Sequence, residues 1–336
     1  MRKIKVGING FGRIGRQLTK LIIKSPQIEL VAINDLADSK TSSHLFKYDS
    51  SYGVFDGEVG STNNEIIING VNIKKYSERD PGDINWSESQ AEVVIESTGI
   101  FTKKNLAQKH ISGIVKKVII SAPATDEDIT IVIGVNDSDY DSSVHNIISN
   151  ASCTTNCVAP MVNILNKNFS IDYALMSTIH SFTNDQSVLD QPHPDLRRSR
   201  TASANIIPTT TGAAKAVVQV IPDMKGKIDG MAYRVPTASV SVTDLTVAVK
   251  KDTSAEEINS VFKSASNNEL KGILEYSNLP LVSQDFKGNP HSVIFDALST
   301  IQIGKNFFKI VGWYDNEWGY ANRTFDLLKL VSSKMK

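Results

Sequence analysis

Six residues near the amino terminus, Gly10-Phe11-Gly12-Arg13-Ile14-Gly15, constrain the fold of this chain more than any others. They follow an apolar run of strand formers at residues 3–8 and open a stretch of helical periodicity at residues 14–24. Glycines at this spacing permit a tight turn and let backbone approach a ligand closely. A second strand, residues 28–34, ends at Asp35, twenty residues beyond Gly15. Among 20 glycines such a spacing arises by chance, so the motif alone is weak. The strand before it, the helix after it and the acidic residue behind it make it a dinucleotide fingerprint. A pyrophosphate would sit on the helix N-terminus, and Asp35 would accept hydrogen bonds from both ribose hydroxyls. A carboxylate there repels a 2′-phosphate, and Leu36, Ala37 and Asp38 bring no compensating cation. NAD is therefore favoured over NADP, although residues from elsewhere in the fold can reach the ribose.

Strands and helices continue to alternate through the first half. Strands are expected at residues 93–97, 118–121 and 129–134, with a helix around 103–111 between the first two. Residues 65–75 read as a hairpin around Asn69-Gly70. Buried-looking strands joined by helices imply a mostly parallel sheet covered on both faces. Beyond Cys153 the pattern changes to longer strands of alternating polarity. At residues 240–249, Val240 and Val242 share one parity and Leu245, Val247 and Val249 the other, which suggests a bulge near Asp244. Ser254-Ala-Glu-Glu257 is a capping box opening an amphipathic helix. A final amphipathic helix is expected at residues 319–333. The expectation is an α/β chain: a Rossmann-type parallel-sheet domain, residues 1–151 with 317–336 returning to it, plus an α+β catalytic domain, residues 152–316, with a mostly antiparallel sheet.

One of only two cysteines stands at the junction, in Ala151-Ser152-Cys153-Thr154-Thr155-Asn156-Cys157. Ser152 is a good N-cap, which puts Cys153 in the first turn of a helix beside unpaired backbone N–H groups. Those groups and the helix dipole favour a thiolate. A free thiol titrates near pH ~8.5, so one mostly ionised at neutral pH needs a shift of about two units. That is ~2.7 kcal/mol, whereas a helix terminus supplies ~0.3–1 kcal/mol, and ~2 only in favourable sites. A histidine or other cation is required next to Cys153. Cys153 and Cys157, four apart on a helix, are too far separated for a disulfide without unwinding that turn. No further cysteine and no paired-histidine spacing supports a metal site.

The 36 basic and 36 acidic residues cancel, which argues against nucleic acid as the primary partner. No apolar run is long enough to span a membrane. The start, Met1-Arg2-Lys3-Ile4-Lys5-Val6, enters a strand directly without a signal-peptide core, so a cytoplasmic location is expected.

Six segments in order resemble the phosphorylating glyceraldehyde-3-phosphate dehydrogenases from end to end. Lys5-Val-Gly-Ile-Asn-Gly-Phe-Gly-Arg-Ile-Gly15 is similar to their amino-terminal fingerprint, and Ala151-Ser-Cys-Thr-Thr-Asn156 to their active-site signature. Ile179-His-Ser-Phe-Thr-Asn-Asp185, Asp195-Leu-Arg-Arg198, Ile207-Pro-Thr-Thr-Thr-Gly212 and Trp313-Tyr-Asp-Asn-Glu317 follow. The resemblance implies oxidation of D-glyceraldehyde 3-phosphate by NAD with inorganic phosphate, giving 1,3-bisphosphoglycerate through a Cys153 hemithioacetal and thioester. It assigns His180 as base and partner of Cys153, the cation that the arithmetic demands. Thr183 and Arg234 would hold the substrate phosphate, with Asp185 orienting Arg234. Ser152, Thr154, Arg198, Thr211 and Gly212 would bind inorganic phosphate. Thr209-Thr-Thr-Gly212 precedes an apparent helix, so its hydroxyls and N–H groups suit an anion on chemical grounds as well. Gly10, Gly12, Arg13, Ile14, Gly15, Asp35, Arg79 and Ser121 would surround the dinucleotide, and Asn316 would bond the nicotinamide carboxamide. Arg197 and Arg200 read as structural or interfacial, Cys157 as a buried helical residue, and the other histidines as ordinary. Residues 181–206 resemble the family's S-shaped loop, which implies a homotetramer. An erythrose-4-phosphate dehydrogenase with the same thiol chemistry is the alternative; a thiol hydrolase would leave the glycine turn and Asp35 unexplained.

Overall fold

A computed structural model describes residues 2–335, which divide into two compact units. The first holds the chain up to Ile131, Ser138–Ala151 and the chain from Ala321 on; the second holds Val132–Asp137 and Ser152–Tyr320.

The first unit is built on a nine-stranded sheet. Ile4–Asn9 lies at its centre, parallel to Ile28–Asn34 on one side and to Val93–Glu96 on the other. Lys117–Ile120 and Ile147–Ser149 extend it in parallel beyond Val93–Glu96. These strands are Val- and Ile-rich and buried almost throughout, as a sheet covered on both faces requires. The chain steps to one side of the first strand and then to the other, so the strand order reverses at Ile4–Asn9. Such a reversal opens a crevice at the strands' carboxyl ends. Asn69 and Gly70, both at positive φ, turn Glu65–Ile68 into Val71–Tyr76 as an antiparallel hairpin.

Two expectations here need adjusting. The strand expected at residues 129–134 is only Ile129–Thr130, because the chain then turns, with Val135 and Asn136 N–H bonding the carbonyl of Val132. The helix expected at 103–111 is a short α-turn, Lys104–Ala107, tightening into a 3-10 turn, Gln108–His110. His110 is fully buried between Trp86 and Glu96, a satisfied core histidine.

The second unit carries a mixed, mainly antiparallel sheet of eight strands with Ile171–Ser181 and Ser241–Val249 at its heart. Helix Cys153–Phe169 packs against this sheet through an almost wholly buried set of side chains that includes Cys157 and Met161. No bulge occurs near Asp244: Ser241–Val249 pairs in unbroken register with Phe307–Tyr314. The alternation is regular, but its inward positions begin with Ser241 and Thr243, polar residues at 1% and 0% exposure. The irregularity lies instead between Ile171 and Tyr173 on the neighbouring strand. Ser254 caps helix Ala255–Asn267 by accepting from Glu257 N. The helix expected at 319–333 begins at Trp318.

Candidate active site

The sequence around Cys153 folds as its cap chemistry dictates. Ala151, at φ 53°, turns the chain, and Ser152 then accepts the Thr155 N–H on Oγ at 3.0 Å. Cys153 is therefore the first residue of a 17-residue helix. Both cysteines are free.

His180, near the end of strand Ile171–Ser181, brings Nε2 to 3.4 Å from Cys153 Sγ. Its Nδ1 lies 2.6 Å from the Ser181 carbonyl oxygen. A carbonyl only accepts, so Nδ1 carries the proton, and Nε2 presents a lone pair to sulfur. Arg234, opposite His180 in the adjacent parallel strand, donates from Nη1 to the same Ser181 oxygen and to Thr183 Oγ1, at 3.1 and 3.2 Å. Burial pushes the Cys153 thiol up, while Arg234, the Thr154 hydroxyl and the N–H groups of Thr154 and Cys153 pull it back. Burial and Arg234 together push His180 down to about 3. The fixed positive charge that the helix-end arithmetic calls for is thus Arg234, and His180 supplies the proton acceptor.

Tyr314 closes the floor. Its hydroxyl lies 2.9 Å from Thr154 Oγ1 and 2.8 Å from Thr178 Oγ1. The Thr154 side chain is therefore turned inward and is 4% exposed. Ser152 remains half-buried, with Oγ engaged by the helix cap and Thr155.

Arg198 lies in the loop between these strands. Its Nε donates to Thr209 Oγ1 at 3.0 Å, Nη2 to Thr210 O at 3.2 Å and Nη1 to Asp185 Oδ2 at 2.5 Å. Asp185 is thus the direct partner of Arg198, and also meets His193 Nε2 at 3.3 Å; it does not contact Arg234. Burial raises the Asp185 carboxyl, but Arg198 and His193 hold it below its usual value. The expected Asp185–Arg234 contact is replaced by the bond to Arg198, and Asp185 acts on Arg234 only through its charge, which favours the guanidinium. Thr211 Oγ1 accepts from Ala213 N at 3.2 Å, and Gly212 starts helix Ala213–Val220 with no side-chain cap. A methyl group on Gly212 would meet nothing within 4 Å, so the helix start is open. Arg200 pairs with Asp190 at 2.8 Å, a structural contact within the loop.

Asn316 is 5% exposed and receives two hydroxyls on Oδ1, from Ser181 at 2.8 Å and Ser241 at 3.3 Å. Neither serine stands out in the sequence; the inward parity of Ser241 is the signal that could have found it.

In the first unit a cleft of about 340 Å³ lies at the crevice predicted by the strand reversal, and Gly10, Gly12, Asp35 and Arg79 line it. Gly10 has φ 92°, and a Cβ there would fall 2.7 Å from Thr98 N. A Cβ on Gly15 would fall 2.3 Å from Gly10 O, so the helix packs on the turn only as glycine. Gly12 faces open space and caps helix Arg13–Ile22 with no side chain. Arg13 forms an ion pair with Asp49 at 2.9 Å. Asp35 takes the Phe11 and Ala37 N–H groups at 2.7 and 2.9 Å. These residues fit a dinucleotide. Ser121 bonds Ser97 at 3.1 Å, and Ser97 lines the cleft. Sequence reasoning passed over Asn9, Asn34, Glu78, Thr98 and Phe101, which line it too. It also passed over Lys75, a buried cation from the next strand whose ammonium bonds the Asp35 and Tyr76 carbonyls. Among the described residues no cluster of three or more His, Cys, Asp or Glu side chains is placed to hold a metal ion, and no helix is long and apolar enough to cross a membrane.

Comparison with known proteins adds to this geometry. Residues 4–104 match the glyceraldehyde 3-phosphate dehydrogenase NAD binding domain, and residues 152–316 match the C-terminal domain of the same family. The chain is 55% identical to glyceraldehyde-3-phosphate dehydrogenase 1 of Bacillus cereus over 330 residues, 98% of this chain and 99% of that one. It is 54% identical to glyceraldehyde-3-phosphate dehydrogenase of Geobacillus stearothermophilus over 331 residues, with the same coverage. It is also 54% identical to glyceraldehyde-3-phosphate dehydrogenase 2 of Streptomyces avermitilis over 333 residues, 99% of each chain.

Proposed function

This chain belongs to the glyceraldehyde-3-phosphate dehydrogenase family, and from that premise we propose that it oxidises D-glyceraldehyde 3-phosphate with NAD and inorganic phosphate to 1,3-bisphosphoglycerate. The observation that carries the chemistry is Cys153 Sγ at the end of a capped helix, 3.4 Å from His180 Nε2.

Cys153 Sγ adds to the aldehyde carbon as its proton passes to His180 Nε2, which returns it to the new oxygen to give a hemithioacetal. The Cys153 backbone N–H, which has no intrahelical acceptor, suits the oxyanion once sulfur is bonded to carbon. NAD, when bound, supplies the acceptor for the hydride that leaves this carbon. His180 Nε2 takes the hydroxyl proton in the same step, which leaves a thioester on Cys153. Phosphate then attacks the acyl carbon and displaces the Cys153 thiolate, and the proton on His180 returns to sulfur. The thioester conserves the oxidation energy that hydrolysis would lose. Gly10, Gly12, Arg13, Ile14, Gly15, Asp35, Arg79 and Ser121 serve the dinucleotide, and Asn316 its carboxamide. Thr183 and Arg234 serve the substrate phosphate. Ser152, Thr154, Arg198, Thr211 and Gly212 serve the attacking phosphate, and Thr154 also bonds Tyr314.

The erythrose 4-phosphate alternative finds no support in the relatives named above. A homotetramer fits the open face of the second sheet, where Tyr173 and Leu175 are each 65% exposed; light scattering in solution tests it. The deciding experiment follows NADH formation with aldehyde, NAD and phosphate, omitting each in turn. Turnover should require all three; turnover that persists without phosphate or arsenate contradicts the thioester route.

A further inference from the structure

Asn316 is an amide whose two ends are chemically different, and its usefulness toward a carboxamide depends on which end faces out. Two buried serines determine this. The Ser181 N–H donates to Ser241 Oγ at 3.1 Å, so that oxygen is already an acceptor. The Ser241 hydroxyl proton then needs an acceptor of its own, and Asn316 Oδ1 at 3.3 Å is nearer than Ser181 Oγ at 3.4 Å. Ser181 Oγ sends its proton to the same Oδ1 at 2.8 Å. Ser181 and Ser241 are 0% and 1% exposed, so no solvent substitutes for either bond. Among the described residues nothing accepts from Asn316 Nδ2.

We propose that Ser181 and Ser241 are positioning residues for the nicotinamide, which hold Asn316 by Oδ1 so that Nδ2 is the end left to donate to the ligand's carboxamide. The inference rests on the NAD reading above. A half-turn of the Asn316 side-chain amide would place two N–H donors against two hydroxyls, one of which already accepts from Ser181 N–H. That arrangement wastes a hydroxyl proton in a dry site, where an unmet donor is costly. The two serines arrive from different strands, Ile171–Ser181 and Ser241–Val249, so the amide is held from two elements. This also explains why a polar residue, Ser241, occupies the first inward position of the second strand.

Calorimetric titration of the full chain with NAD and with ADP-ribose, which lacks the nicotinamide, tests the proposal. Ser181→Ala and Ser241→Ala should each weaken NAD by about three- to tenfold, the range of one net hydrogen bond, and leave ADP-ribose unchanged. In an Asn316→Ala background, Ser241→Ala should cost nothing further. Ser241→Cys keeps the packing with a weaker donor and should fall between serine and alanine. Equal loss for both ligands, or a full additional loss in the Asn316→Ala background, overturns the positioning role. Wild-type chain that binds NAD no better than ADP-ribose overturns it too. Failure of the NAD reading itself would show separately, as absence of NADH formation in the wild-type assay.

Discussion

Arg234 Nη1 lies 3.1 Å from His180 Nδ1, and both nitrogens turn their protons to one carbonyl oxygen, that of Ser181. The arrangement does two things. It fixes the imidazole tautomer, so Nε2 faces Cys153 as an acceptor, and it places a permanent charge where it favours thiolate and disfavours imidazolium. A guanidinium stays charged at any working pH, even when buried beside another arginine.

Replacing Arg234 by leucine should therefore raise the Cys153 thiol further. Alkylation by iodoacetamide at neutral pH should slow by about tenfold for each unit of that rise, and the KM for aldehyde phosphate should increase. Arg234→Lys keeps the charge and should retain most of the reactivity. Unchanged alkylation in Arg234→Leu would remove arginine from the account of the thiol.

His180→Asn removes the acceptor that takes protons from sulfur and from the hemithioacetal hydroxyl. General-base assistance contributes roughly 10²–10⁴-fold, so pre-steady-state NADH formation should fall by that order. Dinucleotide binding, measured by calorimetry, should persist because the first unit is untouched. A loss of binding equal to the loss of rate would point to a folding defect instead.

Much of this was legible in the sequence because it is local. The glycine turn, the Asn69-Gly70 hairpin, the Ser152 and Ser254 caps and the Gly212 helix start are each set by a few adjacent residues. What escaped depends on chains meeting across long separations. Asp185 reads as a neighbour of Arg234, yet it pairs with Arg198, because loop geometry decides which of two arginines arrives first. The inward Ser241 and Thr243 imitate a bulge, because periodicity assumes that what points inward is apolar. Lys75 beside Asp35 comes from a strand forty residues on, and nothing near Asp35 announces it.

Gly312 is a further case in which a distant pairing fixes a residue. A Cβ there would fall 2.7 Å from Met161 Sδ and 2.8 Å from Val293 Cγ2, with Cys157 Sγ at 3.3 Å. Gly312→Ala should destabilise the chain by about 1–3 kcal/mol, as overpacking does, seen as a lower Tm. Met161 is flexible and should keep the cost near the lower end. Gly312→Ala with unchanged Tm would mean that the helix Cys153–Phe169 sits more loosely on its sheet than its contacts indicate.

Asp185→Asn tests which arginine the carboxylate serves. The ion pair with Arg198 is half-exposed, so its loss should be modest, about threefold in KM for inorganic phosphate. The KM for aldehyde phosphate, which Arg234 serves, should stay the same. A selective rise in the aldehyde KM would restore the sequence-based assignment of Asp185 to Arg234.

Acid stability distinguishes a neutral His180 from an imidazolium held by thiolate. In the unfolded chain a histidine titrates near 6.5, whereas folded His180 resists protonation down to about 3. Between those values the unfolded state binds more protons, so stability falls as pH falls through that window and levels off on either side. At about 1.4 kcal/mol per unit the effect is on the order of a few kcal/mol. An imidazolium stabilised by Cys153 would have its pKa raised instead, and its contribution would be lost as pH rises. Urea unfolding of wild type and His180→Asn at pH 7 and pH 4.5 separates the two. The variant should lose less stability on acidification than the wild type, because it has no ring to protonate on unfolding. Wild type that loses less than the variant would show that the proton rests on imidazole.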